Sequence, residues 1–376
     1  MPQKCTVPHP FAFFLARMFR KCAVPHPFAF YANGWETTNP NHPCSRGVRD
    51  PMNNDPGRMI SIYRSVQEIP AGFGPSVAAI GNFDGVHLGH QEILSAVVRE
   101  AREQVARTSG ARSVAITFDP HPEQFLHPAD APRLLTPLDE RLLLLGLTGI
   151  DAVLVLPFDA ALASLPAREF VRGILVDVLG VRCVHEGGNF RFGHRADAGV
   201  AELQAFGAEF GFAVRVHSPV RVHGLEVSSS AIRALVAEGD MTRARWMLGR
   251  PFQVRSTQAR GRGIGARLLV PTVNLAAYDG LLPAFGVYVT RLTVGGRRFQ
   301  AVTNVGNRPT FGEASFAVES HILDFEPVDV DEAAPIELEF LLRLRGEQQW
   351  PTPEALKAQI FEDIAKAKRY FRLEKG

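Results

Sequence analysis

The sequence has few cysteines, almost no net charge and no long hydrophobic run, and each of these absences excludes a class of protein. Its 376 residues include four cysteines, three of them within the first 44 positions, so neither a disulfide framework nor a zinc site is expected. The net charge of +2 provides no general attraction to nucleic acid or to an anionic membrane. The longest apolar stretch, Leu142–Phe158, contains Asp151 and is shorter than the roughly 20 residues of a membrane helix. These features predict a cytoplasmic protein with no nucleic-acid or membrane partner.

The first 58 residues differ from the rest of the chain. A ten-residue segment that starts at Lys4 recurs in nearly the same form at Lys21, and a stretch rich in Pro, Asn and Gly follows. Two copies are too few for a stacked repeat fold, and the charge of Arg17 interrupts the apolar run that an export signal would need. We expect residues 1–58 to be a disordered or mis-called extension, so that Met59 would begin the protein proper.

Strand-like and helix-like patterns alternate between residues 59 and 245. The predicted strands are Val77–Ile80, Ser113–Phe118, Ala152–Leu156, Arg182–His185 and Phe212–His217. Between them lie a helical pattern that starts near Gln91, the leucine-rich Leu142–Leu147, and the helical patterns Glu169–Leu179 and Ala201–Phe210. Such alternation predicts a parallel, Rossmann-like sheet with helices on both faces. Ligands of these sheets bind at the carboxyl ends of the strands.

The pattern changes at about residue 250 to short antiparallel strands. Two of them, Val287–Val294 and Arg297–Val302, flank Gly295-Gly296, which is a hairpin signature. Further strand candidates are Ala317–Phe325 and Ile336–Leu344. A helix with Pro353 in its first turn is expected at the carboxyl end. Residues 250–376 are therefore predicted to form a small antiparallel β-barrel domain with a C-terminal helix.

The most informative motif is Gly81-Asn82-Phe83-Asp84-Gly85-Val86-His87-Leu88-Gly89-His90. It stands between a predicted strand and a predicted helix, where backbone N–H groups and the positive end of the helix dipole can meet an anion. His87 and His90 can donate hydrogen bonds to phosphate oxygens. The sequence contains no G-x-x-x-x-G-K-[ST], which excludes a P-loop. The motif thus predicts a nucleotide site of another kind.

Three further clusters fall where such a site would need them: Thr117–Pro122, Gly187–Gly193 and Ser228–Arg233. They supply a third histidine (His121), the amide of Asn189, and a hydroxyl-rich helix start with Arg233 one turn in. Each also has a structural explanation, since serines commonly cap helices, phenylalanines form cores and a histidine between prolines is usually a turn residue. Their occurrence together with His87 and His90 favours the nucleotide site.

A second group of candidates lies in the C-terminal half. Glycines 261, 263 and 265 precede Pro271-Thr272-Val273-Asn274. The hydroxyl of Thr272 and the amide of Asn274, two residues apart on an extended segment, point the same way, which suits Mg²⁺–phosphate coordination. Glu319, on a predicted strand, is a candidate general base. A rim carboxylate that faces water is the alternative interpretation of Glu319.

These motifs, in this order, resemble the bifunctional bacterial riboflavin kinase/FAD synthetase family over about residues 59–376. The resemblance implies an FMN adenylyltransferase domain over residues 59–245 and a riboflavin kinase domain over residues 250–376. It also implies that His87 and His90 bind the ATP phosphates and stabilise the transition state. The residues implied for ATP and FMN binding in the first domain are Gly81, Phe83, Asp84, Asn189, Ser228, Ser229 and Arg233.

In the second domain, the resemblance implies that Thr272 and Asn274 hold Mg²⁺ and ATP, with Gly261 and Gly265 in the ATP-binding loop. Glu319 would accept the proton of the riboflavin 5′-hydroxyl. The chain departs from the family pattern G-R-x-L-G-F-P-T-A-N, notably at Ala266 and Leu269, and Ser256 stands where a glycine is usual. The departures leave open whether this loop supports full kinase activity.

The favoured function is therefore bifunctional: riboflavin and ATP give FMN, and FMN and ATP give FAD and pyrophosphate. One alternative keeps the adenylyltransferase and makes the C-terminal module a weak kinase or a flavin-binding regulatory domain. A different acceptor, such as a phosphopantetheine, and a non-enzymatic flavin-binding protein are further alternatives. The sequence predicts neither the oligomeric state nor the direction of flavin transfer between the two sites.

Overall fold

The described part of the computed structural model comprises residues 60–105, 110–259, 272–276, 278–308, 315–324 and 335–374. The extension predicted over residues 1–58 lies outside this part, as do Gly261, Gly265, Ala266 and Leu269. From Ile60 onward, the contacts of the chain form one unit. The two halves of that unit can therefore be described together.

The first half contains a six-stranded parallel sheet, as the sequence predicts. Its strands are β1 Ser61–Tyr63, β2 Ser76–Ile80, β3 Arg112–Asp119, β4 Ala152–Pro157, β5 Val181–Gly187 and β8 Ala213–His217. Two small ribbons pair β6 Arg191–Phe192 with β7 Ala198–Gly199, and β9 Arg221–Val222 with β10 Leu225–Glu226. The helices are α1 Leu88–Val105, α2 Pro122–Leu126, α3 Leu138–Leu147, α4 Ala160–Ala163, α5 Ala167–Phe170 and α6 Val200–Phe210. The predicted helix over Glu169–Leu179 is present, but α5 continues over Val171–Val178 as a π-helix.

The central strand β2 is buried on both faces, which explains its unbroken apolar run. Val77 and Ala79 belong to one core cluster, together with residues of α1 and α3. Ala78 and Ile80 belong to a second cluster on the other face, together with residues of α5 and α6. Alternate side chains of a strand point to opposite faces, so both faces of this sheet carry helices.

The strand order of the sheet, β1-β4-β3-β2-β5-β8, places a topological switch point beside β2. From β2 the chain proceeds to β3 and β4 on one side, whereas β5 and β8 lie on the other side. A crevice opens at such a point beyond the carboxyl ends of the strands, and ligands of open α/β sheets bind there. The segments Gly81–His90 and Gly187–Gly193 leave the sheet at this crevice.

The second half is the predicted antiparallel β-barrel. Its strands are β11 Phe252–Ser256, β12 Thr272–Asn274, β13 Gly286–Val294, β14 Arg297–Arg308, β15 Ser315–Ile322 and β16 Ile336–Gly346, in the order β11-β16-β13-β14-β15-β12. The edge strands β11 and β12 meet beyond their ends, because Ala259 N donates to Asn274 O (2.9 Å) and Ala276 N donates to Thr257 O (2.9 Å). The expected C-terminal helix, α9 Pro353–Glu374, begins at the proline and packs Ala367 and Phe371 onto the barrel.

Two helices that follow the sheet, α7 Ser229–Glu238 and α8 Met241–Leu248, join the two halves. Leu235 and Val236 of α7 and Met247 of α8 share one core cluster with the barrel residues Leu292 and Phe340. The same helix pair begins at the predicted Ser228–Arg233 motif. The division into domains over residues 59–245 and 250–376 stays a prediction, and the helix pair ties both of them to one core.

We predict that Met247→Ala lowers the free energy of unfolding by about 2–5 kcal/mol, because it leaves a cavity where α8 packs on the barrel. Arg245→Ala, at an exposed position of the same helix, should change that free energy by less than about 0.5 kcal/mol. Urea unfolding followed by circular dichroism measures both values. Equal effects of the two substitutions would contradict the shared core.

Candidate functional site

The Gly81–His90 segment adopts a strained conformation at the end of β2. Phe83, Gly85 and Val86 have φ angles of 48°, 84° and 37°, a region that side-chain-bearing residues seldom occupy. Phe83 and Val86 are nevertheless buried, each with 2% exposure. A strained backbone of this kind persists only where many surrounding contacts hold it in place, and such strain is common at ligand sites.

Asp84 is the residue that holds this segment in place. Its buried carboxylate accepts hydrogen bonds from Leu135 N (3.0 Å), Thr136 N (2.9 Å) and the Nη2 atom of Arg233 (2.8 Å). Its backbone carbonyl accepts a hydrogen bond from the Ser229 hydroxyl (2.9 Å). Protein donors therefore occupy both carboxylate oxygens of Asp84, and the residue attaches the start of α7 to the loop.

The two histidines of the motif form a stacked pair at the start of α1. The ring centroids of His87 and His90 are 3.6 Å apart with an interplanar angle of 17°, and Phe83 contacts His90 edge-on at 5.3 Å. His90 N donates to the Nδ1 atom of His87 (3.3 Å). A Cβ atom at Gly89 would lie 3.2 Å from the His87 ring, a tight contact that would require the ring to shift.

Both imidazoles are neutral at physiological pH. Burial lowers the pKa of His87 to about 4, and the nearby Arg250 cation contributes to the decrease. The pKa of His90 is well below its ordinary value. Burial is the main cause, and the proximity of His87 and Arg141 lowers the pKa further. A neutral imidazole has one N–H donor and one acceptor. The buried Nδ1 atom of His90 makes no hydrogen bond to any described residue, which leaves it available to a ligand.

Several other predicted site residues have local structural roles. The Ser228 hydroxyl accepts a hydrogen bond from Ala231 N (3.2 Å) and caps α7, and His121 caps α2 by accepting from Glu123 N (3.2 Å). Gly81 N donates to Ile116 O (2.9 Å). Asn189 is exposed just beyond β5, at the same edge of the sheet as the histidine pair. The structure thus brings His87, His90, Asp84, Ser229 and Arg233 into one connected group, with Asn189 on the neighbouring strand end.

Two arginines that the sequence patterns did not indicate support the same segment. Arg141 of α3, 1% exposed, donates to Asn82 O (2.8 Å) and to Phe118 O (2.9 Å). Arg250, just after α8, donates to Gly85 O (2.7 Å). The sequence gave one signal for these arginines: Arg141 stands beside a leucine run, where burial of a charge is costly unless the charge is paired.

The second group of candidates lies on three adjacent barrel strands. Asn274 of β12 and Asn304 of β14 both stand directly opposite Glu319 of β15, so the three side chains share one face. Glu319 and Asn304 are exposed. The Oδ1 atom of Asn274 is buried and has no hydrogen-bond partner among the described residues. Thr272 contributes its backbone to β12, and its side chain lies outside the described part of the chain.

A third cluster contains residue types that also occur as metal ligands, between α1 and β5. The Nε2 atom of His185 lies 2.9 Å from Glu100 Oε2, and its Nδ1 atom lies 3.0 Å from His217 Nε2. Buried Cys183 is adjacent, and Arg215 Nε lies 3.6 Å from the same Glu100 oxygen. These groups satisfy one another, and the arginine already offsets the carboxylate charge. Their burial therefore needs no ligand to explain it.

We predict that the His87 ring takes up a proton only near pH 4, because burial and the Arg250 cation disfavour the imidazolium form. The unfolded state binds that proton near pH 6.5, so His87 reduces stability as the pH falls from about 6.5 to about 4. Histidine ring NMR measures the titration, and His87→Gln assigns the signal. A ring that titrates near pH 6.5 would contradict the buried, stacked arrangement.

Comparison with known proteins matches two different family models to two parts of the chain. Residues 70–231 match the family described as FAD synthetase, and residues 248–371 match the family described as riboflavin kinase. A solved structure of a protein named as a macrolide-efflux protein from Streptococcus pneumoniae has a TM-score of 0.73 and 25% identity, covering 82% of this chain and 99% of that one. Among the helices that the structure describes, none has the length and apolar character of a membrane span.

Two relatives align with this chain over most of their lengths, and both are named bifunctional riboflavin kinase/FMN adenylyltransferase. The protein from Pseudomonas fluorescens is 38% identical over 293 residues, which cover 78% of this chain and 92% of that one. The protein from Escherichia coli strain K12 is 33% identical over 301 residues, which cover 80% of this chain and 94% of that one. With both halves matched at this identity, the chain belongs to the bifunctional riboflavin kinase/FMN adenylyltransferase family.

Proposed function

We propose that this protein makes FAD from riboflavin in two ATP-dependent steps. The C-terminal half phosphorylates riboflavin to FMN, and the N-terminal half transfers AMP from ATP to FMN and releases pyrophosphate. The observation that carries the proposal is that one chain of this family holds both a neutral histidine pair at a helix start and the Asn274–Glu319 pair on the barrel. A cytoplasmic location stays a prediction.

In the adenylyl transfer, a phosphate oxygen of FMN attacks the α-phosphorus of ATP while the bond to the pyrophosphate oxygen breaks. The nucleophile is already an anion, so the step needs positioning and charge stabilisation more than a base. His87 and His90 would each donate an N–H to the ATP phosphates, at the positive end of α1. Their lowered pKa values fit neutral rings, each of which has one N–H to donate.

The other N-terminal candidates would complete the phosphate and nucleotide site. Arg233, held by Asp84 at 2.8 Å, would offer its remaining N–H groups to a phosphate. The Ser228 hydroxyl can still donate its own hydrogen, because it accepts one at the helix cap. Asn189 would contact the nucleotide or flavin from the neighbouring strand end. Asp84, Gly81 and Phe83 would contribute by fixing the shape of the loop.

In the kinase reaction, the riboflavin 5′-hydroxyl attacks the γ-phosphorus of ATP, ADP leaves, and Glu319 accepts the hydroxyl proton. Glu319 is exposed, so a substrate can reach it, and Asn274 lies opposite it on the adjacent strand. Asn304, opposite Glu319 on the other side, would orient the substrate hydroxyl. Gly261 and Gly265 would form the ATP loop.

Mg²⁺ fits the donor chemistry of this second site. Asn274 presents a buried amide oxygen that lacks a hydrogen-bond partner among the described residues, and Mg²⁺ prefers oxygen ligands. We propose that Thr272 and Asn274 hold the ion, which neutralises the charge of the ATP phosphates when it is bound. Asp84 does not offer a comparable ligand in the first site, because protein donors already engage its carboxylate.

A second candidate function is FMN adenylylation alone, with the barrel as a weak kinase or a flavin-binding regulatory module. The observation that favours it is the departure from the family pattern at Ala266 and Leu269 in the predicted ATP loop. Leucine in place of a glycine would stiffen that loop and narrow the space for the phosphates.

The decisive experiment incubates the full chain with riboflavin, Mg²⁺ and ATP and separates the flavins over time. FMN followed by FAD is the expected result. FAD from added FMN, with no product from riboflavin, would support the second candidate instead. If neither flavin is converted, both functions are wrong.

We predict that Glu319→Gln abolishes riboflavin phosphorylation and spares FMN adenylylation, because only the first reaction needs a base. His90→Ala should have the opposite effect, because it removes a phosphate donor from the first site. Each variant's retained reaction is the control for folding. Parallel loss of both reactions in either variant would contradict two independent sites.

We also predict that Asn274→Ala raises the Mg²⁺ concentration required for half-maximal riboflavin phosphorylation, because it removes a ligand oxygen. Glu354→Gln is the control, because it changes a polar side chain of the same half at an exposed position at the start of α9. The measurement is the initial rate of FMN formation against Mg²⁺ concentration. An unchanged Mg²⁺ dependence in Asn274→Ala would contradict the assignment of the ligand.

A further inference from the structure

Arg250 lies between the two halves and donates to the backbone just before the histidine pair. It follows Gly249, which ends α8 in the left-handed conformation with a φ of 73°. Its Nη2 atom donates to Gly85 O (2.7 Å), and its Nη1 atom donates to Val86 O (3.3 Å) and Leu248 O (3.4 Å). The residue falls within the segment that matches the riboflavin kinase family.

The carbonyls that Arg250 binds belong to the strained part of the loop. Gly85 and Val86 have positive φ angles, and both directly precede His87. The Nε2 atom of Gln91 bridges the same region, because it donates to Val86 O (2.7 Å) and to Leu248 O (3.1 Å). Arg250 and Gln91 thus clamp the loop carbonyls to the end of α8, and this clamp sets the position from which the His87 side chain leaves the backbone.

The charge of Arg250 also acts on the histidine pair. His87 is surrounded by the charged side chains of Asp84, Arg233 and Arg250 and by the His90 ring. Burial is the main cause of the low pKa of His87, and the Arg250 cation is the second largest cause. Glu140 of α3 lies near Arg250, but burial raises the pKa of its carboxyl to about 7, so it neutralises the arginine only in part.

We propose that Arg250 is a positioning residue of the adenylyltransferase site, supplied by the half of the chain that carries the kinase. It holds the carbonyls of Gly85 and Val86 so that His87 and His90 face the ATP phosphates. The inference rests on the proposed FMN adenylylation. It means that the N-terminal site is complete only when the start of the barrel segment is packed against it.

Two substitutions separate the geometric and the electrostatic contributions of this residue. Arg250→Lys keeps the charge but loses the planar fork that binds two carbonyls, and Arg250→Met loses both. Arg243→Met is the matched control, since Arg243 of α8 pairs with Asp240 at the start of its own helix. All variants are tested in the full chain.

Both Arg250 variants should lower kcat for FMN adenylylation by about tenfold or more, because small misplacements of reacting groups are costly. Riboflavin phosphorylation should stay at the wild-type rate, which is the control for folding. In histidine ring NMR, Arg250→Met should raise the pKa of His87, whereas Arg250→Lys should leave it low. Arg243→Met should change none of these quantities.

Wild-type adenylylation by Arg250→Met would overturn the inference, and so would an equal loss of both reactions. An unmoved His87 pKa in Arg250→Met would overturn the electrostatic part. If the wild-type protein itself does not adenylylate FMN, the proposed function fails. The titration of His87 still reports in that case whether Arg250 acts on the histidine pair.

Discussion

The buried ion pair between Asp84 and Arg233 is the interaction on which the N-terminal site depends. Asp84 sits in the strained loop after β2, and Arg233 sits one turn into α7, 149 positions later in the chain. The carboxylate also binds the backbone of Leu135 and Thr136, so three distant segments meet at one residue. Removal of one partner of a buried pair commonly costs about 3–5 kcal/mol, because the remaining charge is left uncompensated. The shape of the phosphate loop is therefore a tertiary property.

The shared core around α7 and α8 extends this dependence to the barrel. Val236 accepts a backbone hydrogen bond from Ala284 (3.2 Å), and Leu134 accepts one from Leu281 (2.8 Å). The barrel side thus contacts both the helix that carries Arg233 and the segment that binds Asp84. The two candidate sites are separate in their chemistry, but a common framework supports them. This arrangement gives a physical reason for the presence of both activities in one chain.

The sequence predicted the features that have local signals. The apolar run of β2, the glycine pair at the β13–β14 hairpin and the proline at the start of α9 each determine their own structure within a few residues. The site was predictable in part: the motif indicated the two histidines, whereas their stacked arrangement is a finding of the structure. The capping explanation for Ser228 was correct at the level of its hydrogen bond, whereas His121, interpreted from the sequence as a turn residue, caps α2.

Other features could not be predicted because they depend on distant partners. Nothing near Arg141 or Arg250 in the sequence indicates that each binds a carbonyl of the loop after β2. The register that sets Asn274 and Asn304 opposite Glu319 arises from strand pairing across the barrel. Helix α8 lacks a motif of its own, and its place in the fold follows from the core that it shares with Phe340. The pairing of Asp84 with Arg233 could not be predicted either, because the sequence suggested each residue as a ligand contact and gave no sign that they bind each other.

The stacking of the two histidines has a consequence for proton balance. With ring centroids 3.6 Å apart, a positive charge on one imidazole disfavours a positive charge on the other, so the two rings take up their additional protons in a coupled titration. A triphosphate placed against the rings would offset part of the penalty of burial and raise their pKa values. Departure of pyrophosphate would lower these values again. We therefore expect the affinity of this crevice for a triphosphate to depend on pH.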